Sequence, residues 1–162
     1  MKKVLIVDDD ADLRDALAAM LSHEFIVLKA SGKKEALEFL YSDEKPDIML
    51  LDVRMESKQE GFELVEELSG NKQNIPIILV TSTEAMTVSN AVAEIARRTR
   101  EKYAAQDLNI LVMRSVTGEV MVDYKSEKSG ESVSIKVAGY HSKPVNPEKL
   151  KREIHYILKG KI

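Results

Sequence analysis

The chain has 162 residues, enough for one domain or one domain with an elaboration. Hydrophobic residues make up 44% and charged residues 31%, an ordinary globular balance, and a net charge of -3 gives no general reason for binding nucleic acid or a membrane. Without cysteine there are no disulfides or thiolate metal sites, and the apolar run Val4–Val7 is too short for a signal peptide or a transmembrane span, so a cytoplasmic protein is expected.

Val4–Val7 is a continuous apolar run, which predicts a strand buried on both faces. It runs straight into Asp8, Asp9 and Asp10. Leu13, Leu17, Met20 and Leu21 then recur at helical spacing, with Asp10 or Asp12 available to accept from the free amides of the first turn. "FIVLKA" (25–30) predicts a second strand, and "SGKKEALEFLYS" (31–42) a short helix begun by Ser31. "PDIMLLD" (46–52) is a third strand, again ending in aspartate. "GFELVEEL" (61–68) is a helix with Phe62, Leu64, Val65 and Leu68 for the core, and "IPIILVTS" (75–82) is a strand ending in hydroxyls. Near the far end, "AGYHSKPVNPEKLKREIHYIL" (138–158) gives a strand, a Lys-Pro turn and a helix.

Strands alternating with helices imply right-handed crossovers and a doubly wound parallel sheet. Ligands in such sheets sit beyond the carboxyl ends of the strands. Asp8, Asp9, Asp52, Thr81, Ser82 and Lys143 all fall at those ends, so four strands aim polar groups at one crevice. Like charges at close range raise one another's pKa and cost free energy. A hard divalent cation makes the crowding tolerable, and Mg²⁺ is typically held by one or two carboxylates and shared with phosphate oxygens. An aspartate between a metal, an ammonium and a hydroxyl is a candidate nucleophile for a phosphoryl group. A lone aspartate after a strand is usually a turn residue or a helix cap. Here an acidic pair, an aspartate, a hydroxyl and a Lys-Pro follow in chain order, each directly after an apolar strand.

With "VLIVDDD", "PDIMLLDVRM", "GFEL", "IPIILVTS" and "GYHSKPV" in this order, the chain resembles the CheY-like receiver domain of two-component response regulators over roughly residues 1–84 and 138–160. The resemblance implies a flavodoxin-like α/β fold with a five-stranded parallel sheet in order 2-1-3-4-5, an order for which a chemotaxis receiver is a standing example. It implies a phosphoprotein of phosphorelay signal transduction, not an enzyme acting on other molecules. Asp52 matches the phosphoacceptor. Asp8 and Asp9 match the acidic pair that holds Mg²⁺ with Asp52 and the backbone carbonyl of Arg54, Asp9 being the direct ligand of the pair. Thr81 matches the switch hydroxyl, Lys143 the lysine that pairs with the phosphoryl group, and Tyr140 the switch aromatic that turns inward on activation. Asp10 lies outside the pair and reads as a helix-start residue. Arg54 and Thr83 occupy the two positions that tune the dephosphorylation rate. The implied partners are a sensor histidine kinase or phosphotransfer protein and a downstream protein.

The chain departs from the family in two places. Glu56 stands where proline is usual, and Gly61 falls nine residues after Asp52 instead of about eight, so the loop "RMESKQEG" is longer. The second departure is larger. A receiver needs roughly 20 residues between Thr81 and Lys143, and this chain has about 40 more. Val88, Ala91, Val92, Ile95, Ala96, Thr99 and Tyr103 predict an extended fourth helix over about 84–106. "NILVMRSV-TG-EVMVDYKS" (109–126) and "ESVSIKV" (131–137) predict a small antiparallel meander. The expected organisation is one receiver domain, 1–162, carrying the helix and β-meander insertion at 84–137. Residues 85–136 hold eight Lys/Arg and seven Asp/Glu, which argues against a nucleic-acid platform, and "RRTREK" (97–102) reads as a solvated helix face.

The chain stops soon after the last helix, so no direct DNA binding is expected and output falls to protein–protein contacts. A one-faced meander needs a cover. If the long helix covers it, the insertion is a rigid lobe whose free strand edge can template another chain; if that helix packs on the parallel sheet, the open apolar face is expected to form a homodimer through the insertion. Replacing 107–136 by a short Gly/Ser linker is expected to remove self-association or partner binding and leave Asp52 phosphorylation intact. Two other functions compete. A haloacid dehalogenase-type phosphatase would use Asp8 and Asp10 as its Asp-x-Asp pair, but it leaves Asp52 idle and finds no acidic pair at a strand end after Lys143. A non-phosphorylated, receiver-like interaction module is the other alternative.

Overall fold

The computed structural model describes residues 1–57, 59–82, 86–89, 110–115 and 118–160, with the backbone alone at 86–89. Strand and helix alternate at first: β1 (Lys3–Val7), α1 (Ala11–Leu21), β2 (Ile26–Ala30), α2 (Lys33–Leu40), β3 (Ile48–Leu51), α3 (Glu60–Gly70) and β4 (Ile77–Thr81). Four further strands follow, β5 (Met86–Ser89), β6 (Leu111–Arg114), β7 (Val120–Lys125) and β8 (Ser132–Val137), then β9 (Gly139–Ser142). The last described helix is α4 (Pro147–Leu158).

The first sheet has the order β2-β1-β3-β4-β9, and all its pairings are parallel. This is the expected order 2-1-3-4-5, with β9 as the fifth strand. Alternate residues of the apolar runs supply the two faces. Val4, Ile6, Ile48, Leu50, Ile78 and Val80 pack with Leu17 and Leu21 of α1 and Leu150 and Ile154 of α4. Leu5, Val7, Met49, Leu51, Ile77 and Leu79 pack on the other side with Ala36 and Leu40 of α2 and Phe62, Val65 and Leu68 of α3.

Helix starts follow the free-amide rule, with one correction. Asp10 caps α1, its carboxylate accepting from the amides of Asp12 and Leu13 at 3.0 and 3.2 Å. Asn146 caps α4, with Pro147 opening the first turn. Ser31 does not begin α2: the cap position is Gly32, and the Ser31 hydroxyl donates to the Glu35 carboxylate instead. The free amide of Lys33 is met from another helix, by Glu60 Oε1 at 3.1 Å. A cap supplied across space leaves no local signal in the sequence.

The insertion builds a second sheet, in order β5-β6-β7-β8. The meander β6–β7–β8 is antiparallel, as expected. The long helix predicted from about residue 84 does not start there: Met86–Ser89 is a strand paired in parallel with β6. Thr87 and Val88 are β-branched and suit a strand next to an available edge. The rest of that predicted helix, and "RRTREK", lie outside the described residues.

The larger correction concerns what covers the meander. Val112, Val122 and Ile135 stand in register, as do Val120 and Val137, and with Tyr124 they share one face. That face is buried in the same cluster as Phe62, Val65, Leu68, Ile77, Leu79 and Tyr140. The Tyr124 ring stacks on Phe62 with centroids 4.1 Å apart. The apolar face on which the expected homodimer rested is therefore covered by the parallel sheet and α3 of the same chain. Leu111, Met113 and Met121 form a separate cluster on the opposite face.

Candidate functional site

The polar residues that end the central strands remain tied to the sheet ladder. Asp8 donates its amide to Ala30 O at 3.1 Å, Asp52 to Val7 O at 3.0 Å, and Lys143 to Thr81 O at 3.0 Å. Three side chains are thus set at fixed heights above one sheet edge. α3 presses on the same place. A Cβ on Gly61 would lie 2.2 Å from the Asp52 carbonyl oxygen and 2.7 Å from Val53 Cα, while the Gly61 amide donates to Val53 O at 2.9 Å. Only hydrogen fits there. Gly61→Ala is expected to push α3 away from the Asp52 backbone and to cost about 1–3 kcal/mol. Chemical denaturation checks this, and an unaltered midpoint would contradict the close approach.

Lys143 Nζ donates to Asp8 Oδ2 at 2.8 Å and to Asp52 Oδ2 at 3.2 Å. Asp8 Oδ1 accepts from the Asp10 amide at 2.9 Å. Asp8, Asp52 and Thr81 are buried, whereas Asp9 is exposed at the rim. Burial, and next the charge of Asp8, push the Asp52 carboxyl up; Lys143 and Thr81 pull it down without prevailing. Burial draws the Lys143 ammonium down, but its hydrogen bond to Asp8 and the charges of Asp52 and Asp8 outweigh that and raise it. Tyr140 on β9 is buried in the apolar cluster, and burial together with the Asp52 charge pushes its hydroxyl up to about 12.

Asp8, Asp9 and Asp52 offer carboxylate oxygens that all lie within 4.8 Å of one another. Oδ1 of Asp52 is buried without a hydrogen-bond partner. A hard, all-oxygen donor set with an orphaned carboxylate oxygen fits Mg²⁺. Arg54, the expected carbonyl ligand, lies in the loop two residues beyond Asp52. Thr83 falls outside the described residues. The alternative pairing of Asp8 with Asp10 finds no support, because the Asp10 carboxylate is occupied as the α1 cap.

The model of the response regulator receiver domain family matches residues 4–107. The chain belongs to that family. The match ends before β6, so β9 is recognised as the fifth receiver strand by its parallel pairing with β4. Response regulator MprA of Mycobacterium tuberculosis is 28% identical over 149 residues, which cover 90% of this chain and 62% of MprA. The chain thus spans less than two thirds of that relative. The probable transcriptional regulator ycf27 of Guillardia theta is 39% identical over 82 residues, 50% of this chain and 31% of that protein. Among solved structures, a CheY-like receiver domain protein from Methanospirillum hungatei superposes with a TM-score of 0.61 at 22% identity, covering 99% of this chain and 96% of the other. Among the described residues of this receiver no helix is long and apolar enough to cross a membrane.

Two residues at or near the site were not anticipated. Arg14 on α1 donates from Nη1 to the Asp8 carbonyl at 2.6 Å. Its only sequence signal is a cation one turn into the helix that follows the aspartates. Gln59 is buried in the loop between Asp52 and α3, and nothing in its sequence context marks it.

Proposed function

We propose that this receiver is a phosphorylation-dependent signalling switch with Asp52 as its phosphoacceptor. The observation that carries this reading is the setting of Asp52: buried, with one carboxylate oxygen bonded to Lys143 and the other without a partner, beside Asp8 and Asp9. An Asp52 oxygen forms a P–O bond as the P–N bond to the donor's phosphohistidine breaks. The electron pair leaves on the imidazole nitrogen, which takes a proton from solvent. Asp8, Asp9, Asp52 and the Arg54 carbonyl would hold Mg²⁺, which when bound neutralises charge on the phosphoryl oxygens. Lys143 supplies a fixed positive charge, already held between Asp8 and Asp52. Phosphorylation adds about −1.5 to −2 charge, to which the Thr81 hydroxyl and the Lys143 ammonium respond, with Tyr140 following Thr81. The donor is a sensor histidine kinase or phosphotransfer protein in the cytoplasm, the output is a protein contact, and the chain transforms no substrate other than its own phosphoryl group.

Trapping the acyl phosphate after acetyl phosphate and Mg²⁺ treatment, followed by peptide mapping, tests this reading. Label at Asp52 is the expected result. Label at Asp8 would restore the phosphatase reading, and no label at any carboxylate would leave a receiver-like interaction module.

The metal assignment has its own check. Asp9 is exposed and its removal relieves carboxylate repulsion, so Asp9→Ala is expected to keep the fold and weaken Mg²⁺ binding by about tenfold or more. An NMR titration with Mg²⁺ reads this directly. Equal affinity in the two proteins would remove Asp9 from the ligand set.

A further inference from the structure

The loop that the sequence marks as longer than usual is anchored at three points. At its ends the Gly61 amide donates to Val53 O at 2.9 Å, against the backbone of Asp52. Glu60 bridges the loop to α2: Oε2 accepts from the Glu56 amide at 2.7 Å and Oε1 from the Lys33 amide at 3.1 Å. The third anchor is Gln59, 4% exposed, and it reaches into the inserted sheet. Its Nε2 donates to Lys125 O at 2.7 Å, at the end of β7, and its Oε1 accepts from the Glu127 amide at 2.9 Å, in the turn to β8. Both ends of the Gln59 amide are thus spent on an element that an ordinary receiver lacks.

We propose that Gln59 is a positioning residue whose paired hydrogen bonds to the β7–β8 turn fix the Asp52 loop, so that the rate of phosphoryl acceptance at Asp52 depends on the inserted sheet. This rests on Asp52 being the phosphoacceptor. The turn presents one carbonyl and one amide at the spacing of a side-chain amide, and Gln59 meets both. Lys125 and Glu127 are exposed residues, but Gln59 is buried, so an apolar side chain of equal volume leaves the Lys125 carbonyl and the Glu127 amide unpaired and lowers stability at the turn. The Asp52 backbone, by contrast, lies within van der Waals distance of α3, and small displacements of a reacting group lower rates steeply.

The test is a kinetic comparison of the wild type, Gln59→Met, Glu127→Pro and the double variant, each with acetyl phosphate and Mg²⁺. Methionine keeps the buried volume and removes both hydrogen bonds. Proline at 127 removes the amide hydrogen from the far side of the contact, and Glu127→Ala, which keeps the amide, controls for the lost side chain. The expected result is a phosphorylation rate at saturating donor lowered about fivefold by Gln59→Met. Mg²⁺ affinity should stay unchanged, and the rates are compared under conditions where each variant is fully folded, so that lost stability alone would leave the rate unchanged. Glu127→Pro should slow the reaction in the same sense, and the double variant should be no slower than Gln59→Met. Unchanged rates in both single variants would overturn the proposal, as would multiplied effects in the double. If Gln59→Met does not fold, Glu127→Pro decides alone. A wild type that acquires no label at Asp52 is a different failure, that of the phosphoacceptor assignment.

Discussion

Replacing Tyr124 by alanine is expected to lower the stability of the whole chain by about 3–5 kcal/mol. Tyr124 belongs to the insertion, yet its side chain is 1% exposed and its ring lies at 17° to that of Phe62 on α3, which is fully buried. Alanine leaves a cavity between the inserted sheet and α3 and removes a stacked pair, itself worth about 0.5–1.5 kcal/mol. Because β6, β7 and β8 share one apolar cluster with β3, β4 and α3, both sheets should melt in a single transition. The same argument reverses the outcome expected from sequence for exchanging 107–136 for a linker. That exchange strips the cover from Phe62, Val65 and Leu68 and should prevent folding. Urea unfolding followed by circular dichroism checks both. A loss below about 1 kcal/mol for Tyr124→Ala, or two separate transitions, would show that the insertion is an independent lobe.

Lys143→Met is expected to cost about 3 kcal/mol at neutral pH, because it leaves two buried carboxylates facing each other without their cation. The pH dependence follows from Asp52. Its carboxyl is raised in the folded protein, so the folded state binds the more protons between the ordinary aspartate value and the raised one. Ionising Asp52 therefore costs stability as pH rises through that window, and without Lys143 the cost is larger. The variant should regain stability on acidification, because Asp52 takes up its proton in the folded state before it does in the unfolded one. Added Mg²⁺ should also restore part of the loss, since the cation neutralises the same oxygens. Thermal melts of both proteins across pH, with and without Mg²⁺, read all three effects. A variant as stable as the wild type at pH 7 would mean that Lys143 does not hold the carboxylates.

The parallel sheet was legible because its signal is local. Val4–Val7 and Ile48–Leu51 are apolar without interruption, each stops at an aspartate, and helix-periodic residues follow. Chain order and strand-end placement predicted one crevice for Asp8, Asp52, Thr81 and Lys143, and Lys143 Nζ lies 2.8 Å from Asp8 Oδ2 and 3.2 Å from Asp52 Oδ2. The insertion was half legible. Alternation in β7 and β8 marked the strands, and nothing in alternation says what an apolar face packs against. Val88 illustrates the ambiguity, since a single valine fits a helical stripe and an alternating strand equally well. Gln59 and the Glu60 contact to α2 were invisible for one reason: each partner lies across space, and a polar side chain that meets a distant backbone group has no period.

Intact-mass measurement after incubation with acetyl phosphate and Mg²⁺, on the wild type and Asp52→Asn, tests the central claim most directly. The wild type should gain a single phosphoryl increment that is labile at alkaline pH, as an acyl phosphate is, and Asp52→Asn should gain none. An equal increment in both proteins would place the phosphoryl group elsewhere, and no increment in either would contradict the phosphorylation switch.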